Sequence, residues 1–216
     1  MRGFLDFSNG VFRGIMTIGK IWWLNILWLV CCLPIVTIGA STTALIYACM
    51  KLHRDEGYPT GNFFHSFKDN FGQATALWGV YGVIGALLAW ALVFWNQTGN
   101  QTAWAVTWML VIPYLASFLY VFAIQAKFVN RVVDTLHFSV LLPFRHLKET
   151  ILMVVAMGAV IYFNVTTNVA VNVATLVFGA GFLAYIFSVY YINVFDHYIP
   201  REPEEEELKT ETGDRE

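Results

Sequence analysis

The stretch CLPIVTIGAS, Cys32 to Ser41, decides how the chain is threaded. It lies inside thirty consecutive uncharged residues, Ile21 to Met50, bracketed by Lys20 and Lys51. As one helix that run would measure about 45 Å, against about 30 Å for the hydrocarbon core of a bilayer. Pro34 removes a backbone donor, and Val36 and Thr37 favour extended backbone. Gly39 tolerates positive φ, and Ser41 or Thr42 is able to cap a following helix. The stretch therefore reads as a turn, with Pro34, Thr37, Gly39 and Ser41 as its candidate residues. The two arms it joins are each expected to fall short of a full crossing, as a short or re-entrant hairpin. Such a hairpin is tolerated only when buried by protein or lining a wet cavity.

Composition sets the class around that turn. Hydrophobic residues make up 57% of the 216 and charged residues 13%, with a mean hydropathy of +0.57. A soluble domain of this size does not carry that balance, so the chain reads as an integral membrane protein. Cys31, Cys32 and Cys49 all fall in the first apolar run, where they read as small apolar side chains rather than a disulfide framework. The N-terminal residues are too mixed for the basic region of a signal peptide, so the first span is expected to remain as an anchor.

Four further apolar stretches follow: Gly72 to Trp95, Thr102 to Ala126, Ile151 to about Thr166, and Ala170 to Phe195. The connection NQTGNQT, Asn96 to Thr102, and the patch from Asn164 to Asn172 carry no Lys or Arg. The connections Lys51 to Phe71 and Lys127 to Thr150 carry seven between them. If the chain turns at Pro34 to Gly39, all the cations of residues 1–200 fall on one side, which the positive-inside rule makes cytoplasmic. A single tilted first span would split them across both sides. The fold class is therefore all-α: a polytopic membrane helix bundle of about six segments with both termini cytoplasmic. Residues 1–200 form one transmembrane domain. Residues 201–216, REPEEEELKTETGDRE, carry eight acidic against three basic residues and read as a disordered acidic cytoplasmic tail.

Trp90, Trp95, Trp104 and Trp108 flank the Asn96 to Thr102 connection as an outer aromatic belt should. Gly79, Gly82, Ala86 and Ala89 follow helical spacing on one face, and Ala180, Ala184 and Ser188 recur every four residues, so both sets are candidate helix-packing faces. In GNFFHSFKDNFGQA, Phe63, Phe64, Phe67 and Phe71 share a helical face while Lys68 points away from it. That pattern predicts an interfacial amphipathic helix, lying among headgroups or docking a partner. Lys127 to Leu142 reads as a polar-faced extension of the preceding span, ended by Pro143.

No Asp, Glu, Lys or Arg falls inside an expected span, which disfavours ion-coupled transport. Neutral polar residues inside the spans, among them Asn25 and Gln125, serve equally as helix glue or ligand contacts. The five histidines lack metal-ligand spacing, and no nucleotide, zinc-protease or serine-hydrolase motif is present. The sequence points to no enzyme, no cofactor and no nucleic-acid partner.

The segments NILWLVCCLPIVTIGASTTAL, KLHRDEGY, FFHSFKDNFGQATALW and PFRHLKETILMV together resemble the YesL-like family of small bacterial integral membrane proteins, a group of unknown function. The resemblance supplies no catalytic or binding residue. It implies a bacterial cytoplasmic membrane and a setting beside ATP-driven carbohydrate importers and glycan-degrading enzymes, which bears on function only by analogy. Two readings follow. One is an accessory subunit of a carbohydrate ABC importer, bound to its permease subunits and supporting or regulating it. The other is a small-solute facilitator or channel, alone or as a homo-oligomer, with the Pro34 to Gly39 turn in its pore.

Overall fold

The computed structural model describes residues 2–128 and 130–198, with side chains from Phe12 onward. The acidic tail lies outside these residues. Seven α-helices run in chain order: α1 (Arg2–Cys31), α2 (Ile38–His53), α3 (Pro59–Thr98), α4 (Gln101–Lys127), α5 (Val132–Arg145), α6 (Leu147–Thr166) and α7 (Val169–Phe195). Six of them, all but α5, are long and apolar enough to cross a membrane. The chain is a multi-pass membrane helix bundle.

The turn after α1 is real and tight. Leu33 and Pro34 lead into a single 3₁₀ turn, Ile35–Thr37, before α2 begins. Thr37 locks it by donating its hydroxyl to the Cys31 and Pro34 carbonyls at 2.6 and 2.7 Å. Two local expectations are corrected. Gly39 is inside α2 rather than at positive φ, and Ser41 lies a turn into the helix, fully buried, rather than at its cap. By length alone the two arms, Phe12–Cys31 and Ile35–His53 at 20 and 19 residues, are each enough to span about 30 Å of hydrocarbon. The hairpin nonetheless reaches only to Ala74 and Trp78, less than half-way along α3, and so is the short hairpin that the sequence predicts.

Other connections are shorter than the polar residues suggest. Helix α3 continues through Thr98 to Gly99, whose φ of 71° makes it the left-handed stop. Asn100 caps α4 by accepting from the Ala103 N–H at 3.1 Å. Asn168 caps α7 in the same way through Val171. The polar NQT and NVTT residues thus belong largely to helix ends. Beyond Lys127 the chain does not extend α4 but breaks, and α5 packs back on α4, running past Pro143 to Arg145.

The core has two parts. Around α2, Ile21, Leu24, Ala44, Leu45, Cys49 and Phe63 close on Ala184 of α7. Around α4, Tyr120, Val121 and Ile124 meet Leu77, Leu142, Met153 and Tyr191. Because six spans alternate in direction, the start of α1 and the end of α7 share one end of the bundle. The Trp23 indole N–H donating to the Thr60 hydroxyl at 2.9 Å fixes α1 and α3 in that register. Lys51, Arg54, Lys68, Lys127, Arg131, Arg145 and Lys148 all lie toward this cation-bearing end.

Candidate functional site

The densest chemistry is a neutral polar network linking α3, α4 and α5. Gln125 is buried in α4. Its amide donates to Asn70 Oδ1 at 2.9 Å and to Gln73 Oε1 at 2.8 Å, and its carbonyl accepts from Thr135 at 3.3 Å. Deeper in, the Tyr81 hydroxyl meets Ser117 and stands 2.9 Å from Ser139 Oγ, while Ser117 donates to Ser139 at 3.1 Å. Tyr114 donates to the Tyr81 carbonyl at 2.9 Å. These groups satisfy one another, as buried polar groups must. They therefore hold α5 against the bundle.

A second polar device ties α1 to α7. The Asn25 amide donates to the Leu176 carbonyl at 3.2 Å and also to the Val177 carbonyl, and its oxygen accepts from the Gly181 N–H at 2.7 Å. One side chain thus engages both ends of an i→i−4 pair in α7. A Cβ on Gly181 would stand 2.9 Å from Asn25 Cβ and 2.9 Å from the Ile21 carbonyl oxygen, so only glycine admits this approach. Sequence reasoning flagged Asn25 but missed Gly181. The available signal was the glycine sitting between Ala180 and Ala184 on a face already rich in small residues.

At the cation-bearing end, Arg54 pairs with Asp196 at 2.7 Å and Lys51 pairs with Glu56. The Lys51 hydrogen bond holds the Glu56 carboxyl below the usual carboxylate range. Lys51 also stands 5.9 Å from the Tyr47 ring centroid, and with Arg54, Lys127 and Phe195 it lines a shallow cleft. At the opposite end, Trp104 and Trp108 meet edge to face at 5.9 Å and Trp90 stacks on Phe94 at 5.3 Å, forming the aromatic rim. Among the described residues no group of three metal-ligating side chains comes together.

The phenylalanine face divides. Phe63 is wholly buried against α1 and α2, and Phe67 packs partly against the same cluster, 6.3 Å from Phe63 between ring centroids. Phe64 and Phe71 are 40% and 41% exposed, and Lys68 is exposed beside them. The segment is no separate interfacial helix, because it continues into the span as the first part of α3. Phe63 is therefore a core residue, and only Phe64, Lys68 and Phe71 remain available to a partner.

The turn residues divide too. Leu33, Ile35 and Val36 are 80%, 73% and 61% exposed at the tip of the hairpin, whereas Gly39 is pressed onto the middle of α3. A Cβ there would overlap the Ala74 carbonyl oxygen and stand 2.7 Å from Trp78 Cβ. Of the small-residue faces, Ala184 and Ser188 are buried and Ala180 half-buried, on the side of α7 that meets α1 and α2. Gly79, Gly82, Ala86 and Ala89 instead face outward, with nothing within 4 Å of a Cβ added at either glycine. The packed face of α3 is offset from them and runs through Ala74, Leu77, Tyr81 and Gly85, because the bulky Trp78 and Tyr81 set the rotation of the helix.

With this geometry in place, comparison with known families finds a match over a third of the chain. A family described as Protein of unknown function, DUF624, matches residues 21–92, from the middle of α1 through the turn and α2 into α3. Comparison with curated proteins and with solved structures finds no match. The matched segment holds the Thr37 lock and the Gly39 contact.

Proposed function

We propose that the chain is an integral membrane accessory subunit that associates with a carbohydrate ABC importer and supports or regulates it, in a bacterial cytoplasmic membrane with the cation-bearing end facing the cytoplasm. The observation that carries this reading is the exposed pair Phe64 and Phe71 flanking Lys68, on the part of α3 that precedes its apolar span. An aromatic pair with an adjacent cation on a rigid helix suits a protein groove better than bulk water. The YesL-like resemblance adds the importer setting, and the positive-inside rule adds the orientation.

The facilitator reading has less support. At its stated site, the Pro34 to Gly39 turn, Gly39 is packed directly on Ala74 and Trp78. An open cavity of about 270 Å³ beside α2 is walled mainly by Leu45, Ile46, Phe118, Phe122, Leu183 and Phe187, and its Trp28, Thr42 and Tyr191 polar groups already bond within the protein, a lining that favours a polar solute little.

The test is tagged purification from native membranes in mild detergent, with mass spectrometry of co-eluting chains. The accessory reading expects permease subunits in near-stoichiometric amount, lost on Phe64→Asp with Phe71→Asp while the variant still inserts. Recovery of this chain alone, or permease retained by the double variant, would overturn it.

A further inference from the structure

A cavity of about 290 Å³ opens between the ends of α4, α5 and α7. Ile124, Phe128, Phe138, Leu142 and Phe195 form its apolar wall. Asn130, Arg145 and Tyr198 line the same space, and Tyr198 is held there by its hydroxyl, 3.1 Å from His146 Nε2. The space is roughly ten times a water molecule's share of liquid volume, about 30 Å³. Its walls offer water few partners, so an apolar chain fills it better than solvent does.

Three features identify the occupant. Helix α5 is too short to cross, and its outward side chains Val133, Val140 and Phe144 are 73%, 52% and 57% exposed, as on a helix lying against lipid. The cavity is at the cation-bearing end, where the phosphates of one leaflet lie. Arg145 is exposed, and the ion pairs of the described residues engage Lys51, Arg54 and His65 but not Arg145. An apolar slot beside an arginine that has no carboxylate partner among the described residues matches an amphiphile with an anionic head. A planar guanidinium is suited to a phosphate in two-point contact.

We propose that this cavity binds one anionic phospholipid, an acyl chain lying against Ile124, Leu142 and Phe195 and the phosphate meeting Arg145. The site is built by α5, so the Gln125–Thr135 and Tyr81–Ser139 bonds that seat α5 also shape the slot.

The experiment is native mass spectrometry of the full chain from detergent, titrated with phosphatidylglycerol and, separately, phosphatidylcholine of equal chain length. One phosphatidylglycerol should be retained in preference, and Arg145→Ala should weaken its binding about fivefold, the effect of removing one cation near the headgroup. Arg145→Lys should recover part of that loss. Leu141 also lines the slot, so Leu141→Trp, which adds bulk there, should reduce retention of both lipids. Arg145→Ala alters an exposed side chain, so it decides the matter even if Leu141→Trp does not fold. Equal retention of the two lipids, or phosphatidylglycerol binding indifferent to Arg145→Ala, would overturn the site. Displacement of the lipid by inorganic phosphate alone would show a free-phosphate site and overturn the phospholipid assignment.

Discussion

Helices α2 and α6 are alike in length and nearly equal in hydropathy, yet they are held in opposite ways. The span containing α2 is 61% buried within the protein, and that of α6 only 11%. The difference lies in side-chain size. Along one run, α2 offers Gly39, Ala40, Ser41, Thr43, Ala44, Ala48 and Cys49, and every one is buried. Such residues let neighbouring backbones approach closely, which inside a bilayer must replace hydrophobic driving force. Helix α6 carries Ile151, Val155, Ile161, Tyr162 and Phe163, all turned outward, and buries only Thr150 and Met153. Of these two helices the inner one carries its small residues along the side that meets its neighbours, whereas Gly158 and Ala159 of α6 are exposed.

The comparison breaks most readily at Gly39. Gly39→Val forces a β-branched side chain into the Ala74 carbonyl and should cost about 3 kcal/mol of folding free energy. Gly79→Val, on the outward face of the neighbouring helix, should stay within about 0.5 kcal/mol. Unfolding titrations in mixed micelles measure both, and equal losses would remove the distinction between inner and outer glycines. A smaller effect sharpens the picture of α6. Met153→Ala empties a fully buried site and should cost about 2 kcal/mol. Val155→Ala two residues on, at 63% exposure, should cost less than about 0.5 kcal/mol. A large loss at Val155 would mean that α6 is packed against something in its native setting.

The smallest effect concerns the loop that follows α2. The Glu56 carboxyl titrates below its ordinary value when folded, so its pairing with Lys51 stabilises the fold above the ordinary carboxylate range. That contribution fades as pH falls through the lowered value. Both side chains are well exposed, so Glu56→Gln should cost only roughly 0.3 kcal/mol near neutral pH, with the variant and parent converging in acid. Thermal midpoints measured between neutral pH and strong acid would reveal a gap that persists, which would exclude the ion pair as its source.

Much of this architecture is legible in the residues. The charge-free run from Ile21 to Met50 is too long for one crossing, and Pro34 with Thr37 marks where it folds. The uneven distribution of Lys and Arg sorts the two ends of the bundle. Helix boundaries in polar stretches are less legible, because Asn96 to Thr98 and Asn164 to Thr166 supply capping and hydroxyl-to-carbonyl bonds that keep them helical. The rotation of α3 is hidden as well. Gly79 and Gly82 satisfy the spacing of a packing face, but Tyr81, through its bonds to Ser117 and Ser139, turns that face toward the outside. The phenylalanine stripe misleads for a related reason. A single helical face is wide enough for Phe63 to enter the core while Phe64 stays outside, and only the packing of α1 and α2 decides between them.

Helix α3 runs unbroken for forty residues, about 60 Å, twice the depth of the hydrocarbon it crosses. Its apolar part begins near Gly72, so about 20 Å of it, from Pro59 to Phe71, stands at or beyond the headgroups. Helix α2 packs along the first half of the same rod, from Phe63 to Trp78, α4 continues the contact through Tyr81 and Gly85, and the rod ends in the tryptophan rim of the far face. A single unbroken helix thus joins Phe64 on one surface to Trp95 on the other, with its first turns anchored in the core through Phe63.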